Sequence, residues 1–263
     1  MEDRAGRCTV RSQVDIGRPP KLQANCASLA PRWHTGTGGR RRANYSSRPR
    51  AEFQVVRQYN GCCEDCVPDP LYLSLWFPSF TEQDMMAHVL SVLRQFPFSP
   101  VQPGVNYLAV HPVSWNEPTI LERRFNPGVS PEDAVDAASD LLHEDYAYVF
   151  EADWDLWTPD AASRQWTLAP NKVSMIAQGA EFDERASEAT GQIEIDFGLD
   201  APFLQEQVEL VADAQARVRA NIHKLVDFTN KLEKNAHANG RLLWSDSDDN
   251  LAQKLIARLQ KVQ

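Results

Sequence analysis

A chain of 263 residues with 43% hydrophobic residues is long enough for one large domain or two small ones around a real core. Its charge is divided unevenly. Residues 1–70 hold 12 Lys+Arg against 7 Asp+Glu, a net +5, and residues 71–263 hold 15 against 29, a net −14. An acidic body of that size repels phosphates, which excludes nucleic acid as a ligand of the folded part, and no run of about 18 apolar residues offers a membrane span.

The chain divides at Pro70. Residues 1–70 mix Arg40, Arg41, Arg42, Arg48 and Arg50 with Gly, Pro, Ser and Asn and lack helical or strand periodicity, so they read as a disordered basic leader. The ordered pattern switches on abruptly at Leu71, as it would if translation began there, and a basic arm for RNA, DNA or an acidic partner is the sharper reading of the same residues. All five cysteines lie in this segment. Cys62, Cys63 and Cys66 contain a single C-x-x-C, half of a zinc ribbon without the second pair a closed tetrahedral site needs. The first residues lack the apolar core of a secretory signal and are not expected to act as one, and the simplest expected location is the cytoplasm.

From Leu71 to Gln263 the pattern reads as one folded α+β domain. Leu71 to Phe77 is almost continuously apolar, as for a central strand covered on both faces. Thr81 and Asp84 form a near capping box for a helix over 82–95 with Met85, Met86, Val89, Leu90 and Leu93 on its apolar side. Strands follow over 105–111 and 119–125, the second with the edge signature Glu122, Arg123, Arg124. Ser130 caps a helix that starts at Pro131 and buries Val135, Ala138, Leu141 and Leu142.

Tyr146 to Trp157, YAYVFEADWDLW, is the strand on which the domain turns. Tyr148, Phe150, Ala152, Trp154 and Leu156 share one face; Glu151, Asp153 and Asp155 share the other. The order to this point is βαββαβ, which is the ferredoxin-like order, in which the last strand pairs with the first. Strands over 172–178 and 192–197 extend it into a wide, mostly antiparallel sheet, the second placing Glu194 and Asp196 on one face. A helix over about 212–236 carries apolar or small residues at Ala214, Val218, Ile222, Leu225, Thr229, Leu232 and Ala236. A short strand over 241–244 and a helix over about 248–261 complete the fold.

Chemistry is weakly signalled. Glu151, Asp153, Asp155, Glu194 and Asp196 could hold Mg²⁺ or Ca²⁺, but residues on one face of a strand stand about 7 Å apart, so a site needs both strands to converge. His111 and His143 lie near Ser114 and Asp145 without a nucleophile elbow and are accounted for as strand and helix ends. Ser245 to Asp249 lacks the glycine and the distant glutamate of a calcium loop and reads as a helix cap. The tryptophans are numerous, and Trp115 and Trp157 are the candidate aromatic anchors. No metal site or cofactor is expected. The favoured function is a non-catalytic domain that binds a protein partner through acidic and aromatic surface, with no role at nucleic acid or membrane; the alternative is a metal-dependent hydrolase built on the five carboxylates.

Overall fold

The computed structural model of the chain describes residues 69–160, 165–205, 210–245 and 251–260. All of them belong to the second of its two compact units, Arg57–Gln263. The leader, its cysteine cluster and the segment 246–250 after Ser245 lie outside the described residues.

Local signals set most elements. Strand β1 (Pro70–Trp76) is followed by α1 (Glu82–Leu93), which starts where the Thr81 hydroxyl accepts the backbone N–H of Asp84. Next come β2 (Val105–Pro112), β3 (Leu121–Val129) and α2 (Pro131–Ser139), the last capped by Ser130 accepting from the Asp133 N–H. The remaining strands are β4 (Tyr146–Pro159), β5 (Trp166–Gln178), β6 (Ile193–Leu199) and β7 (Gly240–Ser245). The remaining helices are α3 (Ser187–Thr190), α4 (Ala201–Leu204), α5 (Ala212–Asn235) and α6 (Leu251–Gln260). Too short to leave a periodic signal, α3, α4 and the single turn Phe182–Arg185 are not visible in the sequence pattern.

The strands form one seven-stranded antiparallel sheet in the order β3-β2-β4-β5-β6-β1-β7. The βαββαβ order of elements is present, but β1 does not pair with β4 and is not central. It lies between β6 and β7, next to the sheet edge. The reason is local: β4 and β5 pair without interruption from Ala147 opposite Gln178 to Pro159 opposite Trp166, and β6 adds to β5. These neighbours in sequence occupy the edge of β4 that β1 would otherwise take, and a short connection costs less closure entropy than a long one.

The strand residues of the apolar core come from one face of the sheet, among them Leu71, Leu73 and Leu75 of β1, Leu108 and Val110 of β2, Phe150, Trp154 and Leu156 of β4, Met175 of β5, and Ile195 and Phe197 of β6. Helices α1, α2, α4, α5 and α6 supply the other half of that core. Trp154 is its hub, fully buried with ring centroids 5.2 Å from Phe197, 5.9 Å from Phe96 and 6.5 Å from Phe228. On α5 the buried aromatic is Phe228, while its neighbour Thr229 turns its hydroxyl back onto the Val226 carbonyl.

The apolar run of β1 therefore has a different cause from two-sided burial. Its alternate residues Tyr72 and Trp76 are large aromatics only partly covered, and Ser74 between them is buried with Thr190, Gly191 and Trp244 against it. Ser74 Oγ donates to the Thr190 carbonyl, and Gly191, at φ +101°, lies so near that a Cβ on it would stand 2.9 Å from the Ser74 Cβ.

Candidate functional site

Register places the second face. On β4 it consists of Val149, Glu151, Asp153, Asp155 and Trp157; opposite them on β5 stand Ile176, Ser174, Lys172, Pro170 and Leu168. Asp196 pairs across from Ser174 and Glu194 from Ile176; beyond them come Tyr72 and Ser74 of β1, then Trp244 and Leu242 of β7. Among the described residues the helices of the core pack on the other face, and α5 reaches this one only at its far end, where Arg217 stands over Trp157. The near end is covered by the loop after β2 and the connection from β5 to β6, where Asp183 N donates to the Val113 carbonyl.

The five predicted carboxylates share this face but do not meet. Glu151 and Asp196 both stand opposite Ser174, from either side of β5, and are separated by two strand spacings, about 10 Å. Lys172, opposite Asp153, sends its Nζ to Glu151 Oε2 at 2.6 Å; its side chain is 56% exposed and that of Glu151 is 16% exposed. No group of three or more His, Cys, Asp or Glu side chains among the described residues is arranged to hold a metal ion.

Asp153 is the most enclosed of the row, at 7% exposure. A register shift between Val105 and Tyr107 marks a bulge in β2, and Asn106, at the bulge, donates its side-chain amide to Asp153 Oδ2. Burial pushes the Asp153 carboxyl above its usual range; Lys172 and the Asn106 bond oppose that rise, and the Glu151 charge adds to it. Asp155, two residues on, has a buried Oδ1 with no hydrogen-bond partner.

Pairing of β4 with β2 stops at Ala152, and the edge beyond it is closed by groups from outside the sheet. Ser99 N donates to the Asp153 carbonyl at 2.7 Å and Lys224 Nζ to the Asp155 carbonyl at 2.8 Å. Asn221 of α5 serves both sides of the next position, accepting from Trp157 N at 2.9 Å and donating to its carbonyl, and also to that of Pro202, at 2.8 Å. These bonds account for two unusual helix residues, a buried asparagine and a lysine whose pKa is lowered, chiefly by burial. Neither calls for a catalytic role.

The two predicted aromatic anchors stand at opposite ends of the face. Trp115 is 37% exposed in the loop after β2 and meets Phe182 edge-on at 5.0 Å. Trp157 lies at the far end of β4 with the Arg217 guanidinium 4.9 Å over its ring. Between them the structure brings in residues that the sequence reading did not single out. Tyr72 and Trp244 stack with centroids 4.6 Å apart, Trp244 Nε1 donates to Ser74 Oγ, and Leu168 and Leu242 are 52% and 53% exposed. Alternation in each strand could have marked these residues as facing away from the core, but only the pairing puts them side by side.

The histidines also part company. His143 pairs with Asp145, while half-buried His111, beside Trp115 at 5.0 Å, has an Nδ1 without a partner and a pKa lowered chiefly by burial. Ser114 spends its hydroxyl accepting from the Asn116 backbone, so nothing prepares it as a nucleophile. None of the described helices is long and apolar enough to cross a membrane. Compared with known proteins, the chain matches no family model, no curated protein and no solved structure.

Proposed function

We propose that residues 71–263 form a non-catalytic interaction domain that binds a protein partner through the open face of the sheet. One observation carries this reading: the open face alternates charge with apolar and aromatic area. Val149 and Ile176 stand one row from Glu151 and beside Glu194, Leu168 stands one row beyond Asp155, and Tyr72, Trp244 and Leu242 adjoin Asp196 and Glu194 on the next two strands. A face meant only for water is made of small polar and charged side chains, whereas apolar area rimmed by charge is the composition of a docking surface. The hydrolase reading draws less support, because its carboxylates are spread at strand spacing and a hard cation needs oxygens converging at about 2–2.6 Å.

Site-specific photo-crosslinking in cells that make the protein tests this reading. A benzophenone side chain at Leu168 or Leu242 should trap one distinct protein; the same group at His223 or Lys231, exposed on α5, should not. Equal trapping from both sides of the sheet, or none from the open face, refutes the reading.

A further inference from the structure

The sign of the charge on the open face identifies the kind of partner. Glu122 and Arg124 of β3 stand opposite Ala109 and Tyr107 and so share that face with the row on β4. The face then carries Glu122, Glu151, Asp153, Asp155, Glu194 and Asp196 against Arg124 and Lys172. Such an excess repels nucleic acid and anionic lipid alike and attracts cations.

Spacing narrows the choice. Glu194 precedes Asp196 at the strand repeat of about 7 Å, and on β4 Glu151 and Asp155 stand at twice that repeat on either side of the enclosed Asp153. That distance is too great for one metal ion, yet it equals the repeat of alternate side chains in an extended polypeptide. Between the acidic columns of β4 and β6 lie Ile176 and, one row on, Ser174, uncharged area for the uncharged side chains of the same segment. Lys172 already occupies one such position from within: its exposed ammonium sits on the less exposed Glu151, as an incoming lysine would.

Resting on the reading of this face as a docking surface, we infer that its occupant is a cationic, extended segment of a partner protein, with Lys or Arg alternating with apolar residues. Fluorescence anisotropy with the full chain and three labelled probes, alternating Lys-Val, Ser-Val and Glu-Val peptides, tests this. The Lys-Val peptide should bind at least about tenfold more tightly than the other two at low salt and lose most of that margin at high salt. Glu194→Gln combined with Asp196→Asn should weaken it about fivefold or more, and Lys172→Ala should tighten it about twofold. Asp213→Asn combined with Asp227→Asn removes the same charge from α5 and should change binding by less than about twofold.

Equal weakening by the α5 pair, or equal binding of the Ser-Val peptide, overturns the cationic inference and leaves the docking surface standing. Failure of all three peptides overturns the inference as well, and the crosslinking experiment then decides separately whether the face docks anything. Unchanged thermal melting of each variant shows that the fold is not the cause.

Discussion

Tyr148, Phe150, Ala152, Trp154 and Leu156 and the residues interleaved with them, Val149, Glu151, Asp153, Asp155 and Trp157, come from one strand and meet opposite environments. The first set lies under a helical layer and makes the core; the second lies on the opposite face, which the core helices reach only where Arg217 of α5 stands over Trp157. An antiparallel strand can live in both environments because its period of two keeps them apart. What differs is the consequence of a change. On the covered side a side chain is held by the packed core around it, whereas on the other side it is held by single polar or cation contacts such as Lys172 on Glu151.

The sharpest way to break this comparison is Trp154→Ala against Leu242→Ser. Removing the hub of the aromatic core should cost about 3–5 kcal/mol in chemical denaturation, while the exposed leucine should change stability by about 0.5 kcal/mol or less. Comparable losses would mean that the open face is part of the structural core. Next in size is Asn221→Ala, which strips the partners from the backbone of Trp157 and from the Pro202 carbonyl. It should cost about 1–3 kcal/mol, and hydrogen exchange should rise first at Trp157.

The smallest effect concerns the one carboxylate of the open face that is enclosed. Burial raises the folded pKa of Asp153 above its ordinary value of 3.8, so the folded chain holds that proton more tightly than the unfolded chain. Its contribution to stability is therefore greatest below 3.8 and declines as pH rises through the raised folded value. Asp153→Asn keeps an oxygen for Asn106 and removes the titration. Relative to wild type, the variant should gain stability as pH is raised from below 3.8 toward neutrality in urea unfolding. A constant difference across that range would show that Asp153 is not held in a desolvated position.

Much of the fold is legible in the residues themselves. The caps Thr81 and Ser130, the stripe of α5 and the alternation of β4 and β6 are local patterns, set by hydrogen-bonding chemistry and by periods of two or 3.6 residues. The candidate site was legible only in part. Glu151, Asp153, Asp155, Glu194 and Asp196 could be assigned to strand faces, and Trp115 and Trp157 to aromatic positions. Tyr72, Trp244 and Leu242 joined them only through pairing of β1 with β6 and β7, contacts between residues more than a hundred positions apart in the chain.

The sequence by itself determined the longer helices and the positions of most strands, though not the first half of β5 or the short α3 and α4, as well as which side of β4 enters the core and that the domain is acidic. Tertiary structure alone decided that β5 separates the two acidic columns, that β1 sits beside the edge strand, and that Asn221 and Lys224 close the free edge of β4. The physical reason is range. Side-chain periodicity and capping act within a few residues, whereas strand order and the meeting of two faces follow from loop closure and burial summed over the whole chain.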